Sequence, residues 1–206
     1  KLIFTTSGYL YNGKQISCVE KNEKIISKLS TLEKNVIIPF EDEKNNVLLN
    51  NSIFWDDFLS DDDEIKFELV PFDHPLYIMY SSGTTGLPKS IVHSVGGTLL
   101  QHIKELKLHV DLKKEDKIFY FTTCGWMMWN WLVSSLFMGS TIILYDGNPF
   151  YPDGKTLLKM AEKLKINIFG TSAKYISALQ SKKIFPNEIS TFKHLRCILS
   201  TGSPLV

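Results

Sequence analysis

Short apolar runs rich in β-branched residues recur along this chain, separated by stretches of helical spacing, and that alternation restricts it to an α/β architecture. KLIFTT (1–6), NVIIPF (35–40), LYIMY (76–80), KIFYFTT (117–123), TIILY (141–145), INIFGT (166–171) and LRCILST (195–201) read as buried strands, with IVHS (91–94) a further short one. A helix is expected over 16–29, where Ile25, Ile26 and Leu29 share a side, and another where Leu99, Leu100, Ile103 and Leu106 recur. Three more are expected over 126–138, 154–164 and 173–180. The expected fold is layered, with mostly parallel sheets flanked by helices. The pattern restarts after Pro71, which divides the chain into an α/β segment, 1–71, and an α/β subdomain, 72–206. Because it begins inside a strand-like run and stops just after a Gly-Ser-Pro turn, the chain is expected to be a piece of a longer protein.

Composition removes several function classes. The net charge of +1 carries no long basic block, so nothing points to nucleic acid, and no apolar run approaches the roughly 20 residues that span a bilayer. Arg196 is the only arginine, which leaves few bidentate clamps for phosphate or carboxylate. Cys18, Cys124 and Cys197 lie far apart and show no metal-ligand spacing with histidine; a reduced, cytoplasmic interior is expected, and no metal site. The five histidines form no catalytic or ligand pattern, with His74 and His93 read as structural. The acidic run 61–64 reads as a solvated loop.

The stretch with most chemistry is SSGTTGLPKS, 81–90, directly behind the LYIMY strand. Gly83, Lys89 and Ser90 have the mutual spacing of a Walker A loop, but Pro88 precedes the lysine where that loop needs a backbone donor and the start of a helix. A different phosphate cradle remains possible in these residues. Gly83 and Gly86 allow close backbone approach, Ser81, Ser82, Thr84 and Thr85 add hydroxyl donors, and Lys89 adds charge. The alternative is a surface turn rich in small residues.

YSSGTTGLPK resembles the phosphate loop of the adenylate-forming superfamily of acyl-coenzyme A synthetases, adenylation domains and luciferases, with Ser90 standing where most members have glycine. The flanking FDHPLYIMY and IVHSVGG, then FTTCGWMMWNWLV, ILYDGNPFYPDG, FGTSAKY and STGSPL, extend the resemblance over nearly the whole chain, most weakly before Pro71. They look most like the branch that activates acetoacetate. The resemblance implies part of a large N-terminal AMP-binding domain, with the C-terminal domain absent. It also implies that a carboxylate, acetoacetate, is joined to the α-phosphate of ATP with loss of pyrophosphate and then passed to coenzyme A, with Mg²⁺ accompanying the nucleotide.

By the same resemblance, Ser81, Ser82, Gly83, Thr84, Thr85 and Gly86 hold the β- and γ-phosphates, and Lys89 fixes that loop. Gly202, Ser203 and Pro204 pack against adenine. Trp126, Met127 and Met128, with Thr201 opposite, wall the acyl pocket, although on pattern alone such an apolar patch reads as core. Thr171 is implied near coenzyme A. No catalytic residue is assigned, and the segment by itself is not expected to catalyse adenylation. Two alternatives stay open: a ligase for acetate or propionate, and a nucleotide-binding module without catalysis.

Overall fold

The computed structural model describes residues 1–40, 47–81 and 86–204. They fall into two compact units, Lys1–Phe67 with Asp146–Pro152, and Glu68–Tyr145 with Asp153–Val206. The segment 146–152 therefore groups with the first unit, although it follows residue 71 in sequence.

The first unit holds a parallel sheet of order β1-β4-β5, built from Leu2–Thr6, Lys34–Ile38 and Ser52–Phe54. Asn35 is fully buried at its centre and stitches all three strands: its Oδ1 accepts from Thr5 Oγ1 at 2.9 Å and its Nδ2 donates to Ser52 Oγ at 2.8 Å. The helix expected over 16–29 is shorter, α1 at Val19–Ile26, because a hairpin of β2 (Gly8–Tyr11) and β3 (Lys14–Ser17) takes the residues before it. Asn12 and Gly13 form its two-residue turn with φ of 52° and 74°, a conformation that matches strand twist and favours Asn-Gly. The buried residue of α1 is Asn22, which donates to the Thr6 carbonyl at 2.8 Å, while Ile25 and Leu29 are exposed. The short β5 and the single-turn α2 (Trp55–Phe58) have no counterpart in the expected elements.

In the second unit a parallel sheet of order β11-β10-β8-β9 comprises β8 (Lys117–Tyr120), β9 (Thr141–Ile143), β10 (Ile168–Ser172) and β11 (Cys197–Thr201). Side chains alternate between its two faces. Ile118, Tyr120 and Ile168 join the core with Leu106, Val110, Leu112, Trp131 and Leu132, beneath α3 (Val95–Lys104) and α4 (Met127–Ser134). Phe119 and Phe169 point the other way, their rings 5.1 Å apart, and Phe169 meets α5 (Thr156–Leu164) and α6 (Ala173–Ser181). The sheet is thus covered on both faces, as its near-continuous apolar strands require. Arg196 ion-pairs with the buried Asp116 carboxylate, which also accepts from the Lys113 amide at 2.7 Å, so the lone arginine is structural.

Two expectations are corrected here. The strand before the Ser/Thr/Gly stretch, β6 (Pro75–Ser81), is neither buried nor part of the parallel sheet: most of its side chains are exposed, and it pairs antiparallel with β7 (Lys89–Ser94), with Ser81 opposite Lys89. The buried face of α3 is also rotated from the expected one. Thr98 and His102 are buried, in line with Leu106, whereas Leu99 and Leu100 are 42% and 62% exposed.

Candidate functional site

The β6–β7 hairpin brings the two ends of the Ser/Thr/Gly loop to one rung, where Ser81 faces Lys89. Ser82, Gly83, Thr84 and Thr85 lie outside the described residues. Gly86 is described, with φ of 136° and no atom within 4 Å of where a Cβ would stand. Its backbone, not its lack of bulk, is what requires glycine. Lys89 is exposed at the base of the tip.

From the hairpin the chain runs directly into α3, whose first turn is capped by Ser94 Oγ accepting from the Gly97 amide at 3.2 Å. The helix continues into a π-helical turn, Glu105–His109. Facing it, α4 begins at Met127, just after Trp126 in extended conformation. A cavity of about 730 Å³ opens between β7, α3, α4 and the end of β11. Met127, Met128 and Thr201 line it together, three of the four residues expected to wall an acyl pocket. The fourth, Trp126, borders an adjoining hollow of about 320 Å³ with Tyr80, Ser81 and Gly125. His93 and Met127 line both spaces, so the cavity and the base of the phosphate hairpin are neighbours.

Several polar residues at this cavity carry no motif and escaped the sequence reading. Glu105 accepts from Trp131 Nε1 at 2.8 Å and from Gln101 Nε2 at 2.6 Å, which ties the π-helical turn to α4. His102 is 6% exposed, with Nδ1 2.8 Å from Ser134 Oγ. Burial is the main influence holding its imidazole below the ordinary pKa; the Glu105 carboxylate opposes this and His93 adds to it. His93 itself stacks on Tyr77, its hairpin partner, with ring centroids 5.2 Å apart. The only available signal for Thr98 and His102 was their spacing of eight and four residues from Leu106.

Gly202, Ser203 and Pro204 are exposed just beyond β11, at the carboxyl end of a parallel sheet, and Gly202 has a φ of 95°. Such strand ends are where open α/β sheets bind ligands. Thr171 is 2% exposed and lines an apolar cavity of about 150 Å³ between the sheet and α5 and α6, while its carbonyl accepts from Tyr120 Oη at 3.1 Å. Among the described residues no cluster of three or more His, Cys, Asp or Glu could hold a metal, and no helix is long and apolar enough to cross a membrane.

A hairpin bounded by Ser81 and Lys89 thus stands beside a cavity near the carboxyl end of a parallel sheet, the side of an α/β unit where ligands bind. The profile of the AMP-binding enzyme family matches residues 1–206, and the chain belongs to that family. Within it, the chain is 46% identical to an acetoacetyl-CoA synthetase of Danio rerio and 45% identical to one of Rhizobium meliloti, in each case over all of this chain and 32% of the relative. It is 38% identical over the same shares to the malonamoyl-CoA synthetase vrtB of Penicillium aethiopicum. The solved acetoacetyl-CoA synthetase of Streptomyces lividans superposes with a TM-score of 0.90 at 41% identity, over 99% of this chain and 31% of that one. The chain therefore spans about a third of the length of these relatives.

Proposed function

We propose that the protein containing this chain is an ATP-dependent ligase that activates acetoacetate as an acyl-adenylate and transfers it to coenzyme A. The likeness to acetoacetyl-CoA synthetases along the entire chain carries this reading. In the first step a carboxylate oxygen forms a bond to the α-phosphorus of ATP as the bond to pyrophosphate breaks. In the second the thiol sulfur of coenzyme A bonds to the acyl carbon, AMP leaves, and the thiol proton passes to solvent. Neither step requires covalent catalysis by the protein, whose work is to position the reactants and stabilise charge.

Ser81, Ser82, Gly83, Thr84, Thr85 and Gly86 are assigned to the β- and γ-phosphates, with Lys89 securing the hairpin, and Gly202, Ser203 and Pro204 to adenine. Met127, Met128 and Thr201 are assigned to the acyl pocket, and Trp126 to the passage between that pocket and the phosphates; their shared and adjoining cavities support this. Mg²⁺ accompanies the ATP phosphates, and none of the described residues is assigned as its ligand. The relatives' names narrow the acid: acetoacetyl and malonamoyl groups are both short and both carry a carbonyl on the third carbon. With three free cysteines, Cys18, Cys124 and Cys197, we place the protein in the cytoplasm. The test is thioester formation: incubation with ATP, Mg²⁺, coenzyme A and acetoacetate yields acetoacetyl-CoA and AMP. Formation of acetyl-CoA or propionyl-CoA in preference would retain the reaction and replace the substrate.

A further inference from the structure

Two spaces meet at the base of the hairpin: the cavity of about 730 Å³ assigned to the acyl group, and the hollow of about 320 Å³ bordered by Tyr80, Ser81 and Trp126. An acid lying in the first, with ATP phosphates at the second, meets the α-phosphorus where the two join. Among the described residues, His93 and Met127 are the two that line both. A thioether has no proton to donate, so His93 is the hydrogen-bond donor at the junction. From sequence alone His93 reads as structural, because only the fold sets it between these spaces.

The imidazole is steadied within its own hairpin. His93 on β7 pairs with Tyr77 on β6, with ring centroids 5.2 Å apart and planes inclined by 37°. This contact holds the half-buried ring by its face and engages neither nitrogen. An imidazole carries at least one N–H in every protonation state it adopts, so the junction always has a donor for an oxygen.

The other polar side chains of the cavity are engaged elsewhere or lie away from the junction. Gln101 and Lys104 stand in the last turn of α3, and Glu105 and His109 bound the π-helical turn after it, remote along the helix from the hairpin. Three of these are tied together: Lys104 Nζ donates to Gln101 Oε1 at 3.0 Å and Gln101 Nε2 to Glu105 Oε1 at 2.6 Å, while Glu105 Oε2 accepts from Trp131. Buried His102 donates from Nδ1 to Ser134 Oγ at 2.8 Å, and that hydroxyl donates to the Asn130 carbonyl at 3.1 Å. Its Nε2 is thereby an acceptor, which a carboxylate or phosphate oxygen cannot use. Ser94, Thr98, Ser200 and Thr201 line the cavity but not the hollow beside it.

We propose that the His93 imidazole touches the reacting groups of adenylation, donating a hydrogen bond to an α-phosphate oxygen as the carboxylate approaches. This rests on the ligase reading above and adds a residue to it. A carboxylate oxygen supplies the electron pair of the new O–P bond, the bond from the α-phosphorus to pyrophosphate breaks, and pyrophosphate leaves with that pair. No proton is transferred, and His93 keeps its own. The donor offsets the negative charge that gathers on the α-phosphate oxygens as two anions meet.

The experiment measures acetoacetate-dependent exchange of labelled pyrophosphate into ATP by the full-length protein, with kcat and KM determined separately. His93→Phe keeps an aromatic ring against Tyr77 and removes the donor. It is expected to lower kcat on the order of a hundredfold, with a smaller change in the KM for acetoacetate and a melting temperature near wild type. Of His93→Asn and His93→Gln, which set an amide nitrogen near Nδ1 and Nε2 respectively, one should regain part of the loss. A wild-type kcat in His93→Phe overturns the inference and leaves adenylation as proposed. A loss that comes with a lower melting temperature and that neither amide relieves also overturns it, since His93 is then a packing residue. Should His93→Phe not fold, His93→Ala decides by the same criteria. Absence of exchange in wild type with every acid removes the proposed function and this inference with it.

Discussion

Ser81 and Lys89 are the last cross-strand pair of an antiparallel hairpin, so the two ends of the Ser/Thr/Gly stretch meet at a single rung. Gly86, shortly before the return strand, has a φ of 136°. Replacing Gly86 by valine forces a branched side chain into a backbone region that costs on the order of 1–3 kcal/mol. The expected result is ATP affinity reduced at least about tenfold, with a melting temperature close to wild type because Gly86 is exposed. Lys89→Ala, which keeps the rung's backbone, is expected to cost less. Calorimetric titration with ATP checks both.

Gly170, in the middle of β10, is expected to tolerate no side chain at all. A Cβ there would stand 2.1 Å from the Tyr120 ring, which is itself fixed by donating to the Thr171 carbonyl at 3.1 Å. Gly170→Ala displaces that ring from the core it shares with Trp131, at a cost of about 1–3 kcal/mol. Denaturant unfolding should show a lower midpoint with an unchanged slope. A wild-type midpoint would mean that the sheet yields to accommodate the methyl.

His102 gives stability a defined pH dependence. Its folded pKa lies below the ordinary 6.5, so the unfolded chain binds more protons in the interval between the two. Its contribution is fully present above about pH 6.5 and is lost as pH falls through the folded value. Glu105 on the same helix run, His93 on β7 and Ser134 on α4 are the groups whose state is felt at the ring. Unfolding free energy measured from pH 7.5 to 5 should fall less in His102→Gln than in wild type. Parallel curves would show that the imidazole does not titrate differently in the two states.

Much of the fold was legible because apolar β-branched runs bounded by turns have few alternatives; strands β1, β8, β9 and β11 fall within expected runs, and β4 and β10 overrun theirs by one residue each. Strand direction and burial were not legible, since an apolar run reads alike in either pairing; LYIMY reads as a buried strand, yet β6 is antiparallel and mostly exposed. The β2–β3 hairpin does carry a local signal, Asn12-Gly13, just ahead of the helix expected over 16–29. In α3 the leucines suggested one face and the packing chose another, because Thr98 and His102 find a place beside Trp131 and Met128 that only the tertiary fold creates. The Ser/Thr/Gly stretch, by contrast, is a local sequence feature that needs no tertiary fold to be noticed. The cavity that Met127 and Met128 line is assembled from β7, α3, α4 and β11, so composition could mark its methionines but not their polar neighbours.

The central claim is that this chain helps to build a carboxylate-activating site, and acid-dependent exchange of labelled pyrophosphate into ATP tests it most directly. The full-length protein, given acetoacetate, acetate and propionate side by side, is expected to exchange with all the reactants of adenylation present and fastest with acetoacetate. Absence of exchange with every acid, in a folded preparation that binds ATP, would contradict the account.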